Sequence, residues 1–258
     1  MTRCVLFWPD THFPHQDEAA VACAKRIVRL IKPHTVVMLG DVLDAAAFSA
    51  HSLNGFADRE TAGRDFYSSE IVPAQELLNF LSVTSRIVFI EGNHEHRVER
   101  TAVRLGAAVS SVYSLVSPQA LLSAGRSAKR FRWIPYGIDP ARSSYRVTPN
   151  LLAIHGWSTA KAAASKHLEL ARNYSVVFGH CHRAQSDTRR DPISNEVFKA
   201  VSPGCLSKLE PLYTHGRPTN WVHGVSLAYI RKDGGHTLYN VLIERGQAVL
   251  PNGKLVRG

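Results

Sequence analysis

Five short apolar, β-branched runs, each stopping at a small polar cluster, constrain this chain of 258 residues more than any other feature of it. Cys4 to Trp8 leads into Pro9-Asp10-Thr11-His12, Thr35 to Leu39 into Gly40-Asp41, and Arg86 to Ile90 into Gly92-Asn93-His94. Leu151 to Ile154 ends at His155, and Val176 to Phe178 leads into Gly179-His180-Cys181-His182. Between the first two runs Ala20, Val21, Ala24, Ile27, Val28 and Ile31 recur at helical spacing. That pattern predicts a helix over 16–31, and Phe66 to Leu81 repeats the arrangement. Alternation of this kind is the mark of βαβ units. From Ser226 to Leu250 the pattern changes, with runs at Leu227 to Ile230 and Leu238 to Ile243 flanking Asp233-Gly234-Gly235, a hairpin signal.

In open α/β sheets the loops beyond the carboxyl ends of the strands form the ligand crevice, so these polar clusters are expected to converge. Any one strand-end Asp or His is more often a cap or a surface residue. Together they offer carboxylate, amide and imidazole donors with no thiolate recruited, a mixture that suits divalent Mn, Fe, Zn or Ni at a catalytic site better than a structural zinc. Asp10 and His12, and His180 and His182, are spaced so that both members of each pair face one side of an extended segment. Cys181 between them is expected to point away. Glu95 reads equally as a helix-start carboxylate or a catalytic one, and Arg97 as a phosphate ligand or a solvated side chain.

The ordered blocks DxH at Asp10 and His12, GD at Asp41, GNH plus an acid at Asn93, His94 and Glu95, then His155, then GHxH at His180 and His182 resemble the calcineurin-like metallophosphoesterase superfamily. The resemblance covers residues 10–182 and implies a four-layer α-β-β-α sandwich. It implies two divalent cations, Mn foremost with Fe, Zn, Ni or Mg as alternatives. Asp10, His12 and His182 would hold one, Asn93, His155 and His180 the other, and Asp41 would bridge them. A metal-bridging hydroxide would attack the phosphorus, His94 would act as general acid or transition-state stabiliser, and Asp44 would orient His94 rather than merely cap the next helix. Ala45 stands where the protein serine/threonine phosphatases carry arginine, which argues against phosphoproteins. Ser202-Pro203-Gly204 resembles a turn of the bacterial and phage nuclease and phosphodiesterase branch. The expectation is therefore a hydrolase of nucleic-acid or nucleotide phosphodiesters, with a phosphomonoesterase or a non-catalytic nucleic-acid-binding or protein-binding module as alternatives.

Composition adds direction. A hydrophobic content of 45% supports one domain over residues 1–258, and a formal charge of +10 with a pI near 9.7 favours a polyanionic partner. Arg126, Lys129, Arg130, Arg132, Arg142 and Arg146 face only Asp139, either as a solvated loop or as a basic rim to the site. Lys208, Tyr213, His215, Arg217, Trp221 and His223 interleave cations and aromatics as single-strand binders do, with Lys208, Tyr213, Arg217 and Trp221 the candidate substrate contacts alongside Arg97. Cys4, Cys23, Cys181 and Cys205 form no CxxC pair, so free thiols, a cytoplasmic setting and no membrane span are expected.

Overall fold

Strands apolar on both faces need a cover on both, and here helices supply one and a second sheet the other. The computed structural model describes residues 2–49, 66–137, 139–211 and 217–258. In the first sheet β1 (Arg3–Trp8), β2 (Thr35–Met38), β3 (Arg86–Ile90) and β4 (Phe131–Ile134) run parallel in that order. The hairpin of β10 (His223–Ile230) and β11 (His236–Ile243) extends it antiparallel beyond β1. The second sheet has the order β5 (Ser144–Thr148), β6 (Leu151–Ile154), β7 (Ser175–Phe178), β9 (Val197–Pro203), β8 (Ala184–Arg190), with β6, β7 and β9 parallel. A ribbon of β12 (Gln247–Val249) and β13 (Leu255–Arg257) closes the chain.

The period-two alternation of side chains decides which layer each residue joins. Val5, Phe7, Val37, Leu39, Val88 and Ile90 point between the sheets and meet Ala153, Val177 and Val201. Leu6, Trp8, Val36, Met38 and Phe89 point the other way, onto α1 (Glu18–Ile31) and α2 (Val72–Ser82). Ile154, Val176, Phe178 and Ala200 pack under α6 (Ala163–Ala171). The result is a four-layer α-β-β-α sandwich, as the motif resemblance implied. Three further helices, α3 (Asn93–Arg104), α4 (Ala107–Val116) and α5 (Pro118–Ser123), link β3 to β4. Among the described residues no helix is long and apolar enough to cross a membrane.

Differences from expectation have local causes. The first helix starts two positions late because Asp17 is its cap, accepting from Ala20 N–H at 2.8 Å. The second opens with a wide π-helical turn over Phe66–Ile71 before α2, whose first turn holds Pro73 and so lacks one backbone donor. The segment from Arg126 to Arg146, read as a solvated loop or a basic rim, contains β4 and the start of β5. Its four- and five-residue strands sit among arginines that mask their alternation, and Trp133 in β4 stacks on Phe89 at 4.6 Å.

Candidate metal centre

All the polar clusters do converge. Asp10 and His12 follow β1, Asp41 and Asp44 follow β2, Asn93 and His94 follow β3, His155 follows β6, and His180 and His182 follow β7. On one side Asp10 Oδ2 lies 3.2 Å from His182 Nε2, which lies 3.2 Å from His12 Nε2. On the other, His155 Nε2 lies 2.9 Å from Asn93 Oδ1 and 3.3 Å from Asp41 Oδ2, with a nitrogen of His180 in the same cluster. Asp41 Oδ2 is also 3.9 Å from His12 Nε2, so this one oxygen faces both groups. Asp10, His12, Asp41, His155 and His182 are buried, and Asn93 and His180 half-buried.

The backbone that holds these side chains is strained and braced. His12, Asp41, His180 and His182 all have φ between 49° and 66°, the left-handed region that non-glycine residues seldom occupy. Thr11 and His12 N–H both donate to Asp41 C=O, and His180 N–H donates to the Asp10 carboxylate. Gly92 is required where it stands, since a Cβ there would lie 2.1 Å from Asp41 Oδ1. Glu95, which the sequence left between a cap and a catalyst, is fully buried and accepts from the N–H groups of Asp41, Val42, Leu43 and Gly92 at 2.7 to 2.9 Å. It is the clamp that ties the Asp41 turn to the start of α3. Burial and the Asp41 charge push its carboxyl up to about 7 in spite of those donors. Glu95→Gln is therefore expected to be severe, because an amide turns NH2 donors toward backbone donors. A loss of about 3 kcal/mol or more of unfolding free energy is expected by urea titration.

Electrostatics and donor chemistry fit a cation. Asp10 and Asp41 are buried, and among the described residues imidazoles are their only ion-pair partners. Buried carboxylates in that position draw positive charge from whatever source is available. Burial opposes protonation of His155, but Asp41 outweighs it and raises the ring to about 10. Burial and the His155 charge push His180 down to about 4. Ligand atoms sharing one ion at about 2.0–2.2 Å lie about 3.0–3.5 Å apart, the spacing seen among Asp10, His12 and His182. His182 Nδ1 is buried and has no hydrogen-bond partner among the described residues, so the polar contacts of the ring are all on its Nε2 side. Since a cation beside His155 must displace its proton across the neutral range, binding should release about one proton. Affinity should then rise about tenfold per pH unit for each proton displaced, read by calorimetry in buffers of different ionisation enthalpy.

His94 stands beside this group. Its Nδ1 is 2.7 Å from Asp44 C=O and 3.3 Å from Asp44 Oδ1, and its Nε2 is 3.8 Å from Asp41 Oδ2. Asp44 also holds His12 Nδ1 at 3.0 Å, which leaves His12 Nε2 facing the centre. Burial works to raise the Asp44 carboxyl, but His12 and His94 outweigh it and hold it well below the usual range. Arg97 is neither solvated nor free: its guanidinium is 2.9 Å from His94 Nε2 and donates to Asp44 C=O at 3.1 Å. Trp221 packs edge-on against His182 with ring centroids 4.1 Å apart. Lys208 and Arg217 are exposed, and Tyr213 and His215 lie outside the described residues. Cys181 turns its Sγ to Ser202 Oγ, away from the centre, and all four cysteines are free thiols.

The basic rim is corrected at Arg130. Arg126 is held against α2 by Asn79 and by Gln75 C=O, while Arg130 lies at the amino end of β3, held by Ser82 and Ser85 C=O at the opposite end of the strands from the site. Arg142 pairs with Asp139, and Arg132 and Arg146 lie over Tyr145 and Tyr174. What sequence reasoning missed are His15, 3.8 Å from Asp44 Oδ2, and two flanking clefts. One, of about 250 Å³, is lined by Glu91, Tyr136, Trp157, His155 and His180; the other runs along α3 from Asn93 to Arg104. Arginines at spacings of three and four, Arg97, Arg100 and Arg104, are the sequence signal that could have found the second.

No protein-family model matches the sequence, and comparison with curated proteins returns no match. Solved structures are similar in shape. Chaetomium thermophilum Vps29 is 13% identical over 98% of this chain and 93% of its own, with a TM-score of 0.43. A single mutant of Entamoeba histolytica Vps29 is 14% identical over 99% and 98%, with a TM-score of 0.41. Yfce, a phosphoesterase from E. coli, is 15% identical over 92% and 98%, with a TM-score of 0.39. The chemistry open to this chain rests on its own residues.

Proposed function

We propose that this chain is a phosphoesterase of the calcineurin-like metallophosphoesterase type that holds two divalent cations, Mn foremost, and hydrolyses nucleic-acid or nucleotide phosphodiesters. The observation that carries the reading is the position of Asp41, whose Oδ2 faces His12 on one side and His155 on the other. Asp10, His12 and His182 would hold one ion, Asn93, His155 and His180 the second, and Asp41 both. Bound cations of this kind supply Lewis acidity at a phosphoryl oxygen and lower the pKa of water. His94 would hold or donate a proton at the leaving oxygen. Burial works against its protonation, but Asp41 and Asp44 outweigh it and raise the ring above the usual imidazole value. Arg97 covers its Nε2 now, and an arriving phosphate offers that guanidinium a charged acceptor that a neutral imidazole does not. Arg97 then grips the substrate and frees Nε2, which accepts from it now, to take up a proton and pass it to the leaving oxygen.

The test is turnover of bis-para-nitrophenyl phosphate and of the monoester after chelation and reconstitution. Chelated protein should be inactive, Mn should restore it, and the diester should be turned over faster. Failure to hydrolyse either ester with Mn, Fe, Zn, Ni or Mg would overturn the reading, and a faster monoester would replace diesterase by phosphomonoesterase.

A further inference from the structure

The cation-rich surface at this centre lies on a helix, away from the arginine-dense segment that composition singles out. Asn93 opens a groove of about 260 Å³ that runs along α3, with Arg97, Arg100 and Arg104 on one wall and Phe48 and Ser49 opposite. Spacings of three and four residues place the three arginines on one face, spread over about 10 Å of helix axis. Like charges so placed repel, and a helix gains nothing from stacking them. Arg100 and Arg104 are exposed, and among the described residues neither pairs with a carboxylate; neighbouring Glu99 turns instead to His96 at 3.2 Å. Arg126 and Arg130, by contrast, spend their donors on carbonyls and Asn79.

Aromatic surface flanks the centre beyond this row. Trp221 covers His182, while Tyr136 sits with its ring 6.4 Å from that of His155 and shares a cleft with Trp157 and His180. A basic groove that tracks a backbone, combined with half-exposed rings on which bases stack, is how single strands are held without reading their sequence. We propose that Arg100 and Arg104 continue the line of Arg97 as a track for the phosphates that flank the scissile one, and hence that the substrate is a single-stranded polynucleotide segment rather than a mononucleotide. This rests on the phosphoesterase reading above and names the substrate class of the same site.

The experiment compares wild type, Arg100→Glu/Arg104→Glu and Arg126→Glu/Arg130→Glu, each loaded with Mn. Binding of a fluorescent ten-nucleotide phosphorothioate oligothymidylate is followed by anisotropy across salt concentrations, and turnover of bis-para-nitrophenyl phosphate is measured beside it. The α3 pair should weaken oligonucleotide binding at least about tenfold and flatten the slope of log affinity against log salt by about 1.4, since two phosphates that wild type neutralises each contribute about 0.7. Its deficit on the oligonucleotide should exceed its deficit on the small diester. The Arg126/Arg130 pair should match wild type in both. An unchanged salt slope in the α3 pair, equal deficits on both substrates, or a dinucleotide that binds as tightly as the ten-mer would overturn the track. Steep, salt-sensitive oligonucleotide binding by a wild type that hydrolyses no small diester would sink the phosphoesterase reading instead and leave the track standing.

Discussion

Asp41→Asn is expected to lower diester turnover by about three orders of magnitude or more and to remove at least one metal equivalent, while leaving the chain folded. The asparagine keeps the shape and tolerates the left-handed backbone at φ 49°, and its amide oxygen still accepts from His94 N–H, now at 2.9 Å. What it removes is the charge that faces both ligand groups. With that charge gone, the pull that Asp41 exerts on His155 is lost, and neither side keeps the oxygen they share. Asp41→Ala would lose turnover as well but confounds it with backbone strain, so the asparagine is the cleaner variant. Metal content by mass spectrometry with thermal unfolding in parallel separates the two outcomes; two retained equivalents with normal turnover would refute the bridging role.

His94→Ala should do the opposite with respect to metal, keeping both equivalents while lowering kcat by about two to four orders of magnitude on a substrate with a poor leaving group. Its ring touches Asp44 and Arg97, packs edge-on against His12 with centroids 4.4 Å apart and stops 3.8 Å short of Asp41; Asp44 still holds His12 Nδ1 when the ring is removed, which keeps that ligand atom in place. The deficit should shrink on para-nitrophenyl esters, whose leaving group needs little protonation. A fall of the same size on both kinds of ester would show that His94 stabilises charge and does not act as the acid; near wild-type kcat on the poor leaving group would remove it from the chemistry altogether.

The fold, and which side chains meet beyond the strands, were legible in the sequence to the extent that they depend on strand ends. An apolar run that stops at Asp-x-His or Gly-Asn-His states both where a strand finishes and what its loop carries, and all five such ends meet in space. The resemblance assigned Asp44 to His94; that it also holds His12 emerges only when β1 and β2 are side by side. Glu95 was ambiguous for a similar reason, because three of its four donors come from the Asp41 turn, more than fifty positions earlier. The density of arginine between Arg126 and Arg146 misled because composition carries no direction: Arg130, just before β4, lies at the amino end of the strands, whereas α3 carries Arg100 and Arg104 along the groove that Asn93 opens. Arg97 needed side-chain geometry, since both a phosphate and a solvated role fit its position on the helix, and its hold on His94 matches neither alone.

Anomalous diffraction from crystals grown in excess Mn reads the central claim directly. Two peaks about 3.5–4 Å apart are predicted, with Asp41 between them, Asp10, His12 and His182 around one and Asn93, His155 and His180 around the other. A single fully occupied peak, or two peaks that leave Asp41 beyond coordinating distance of either, would contradict it.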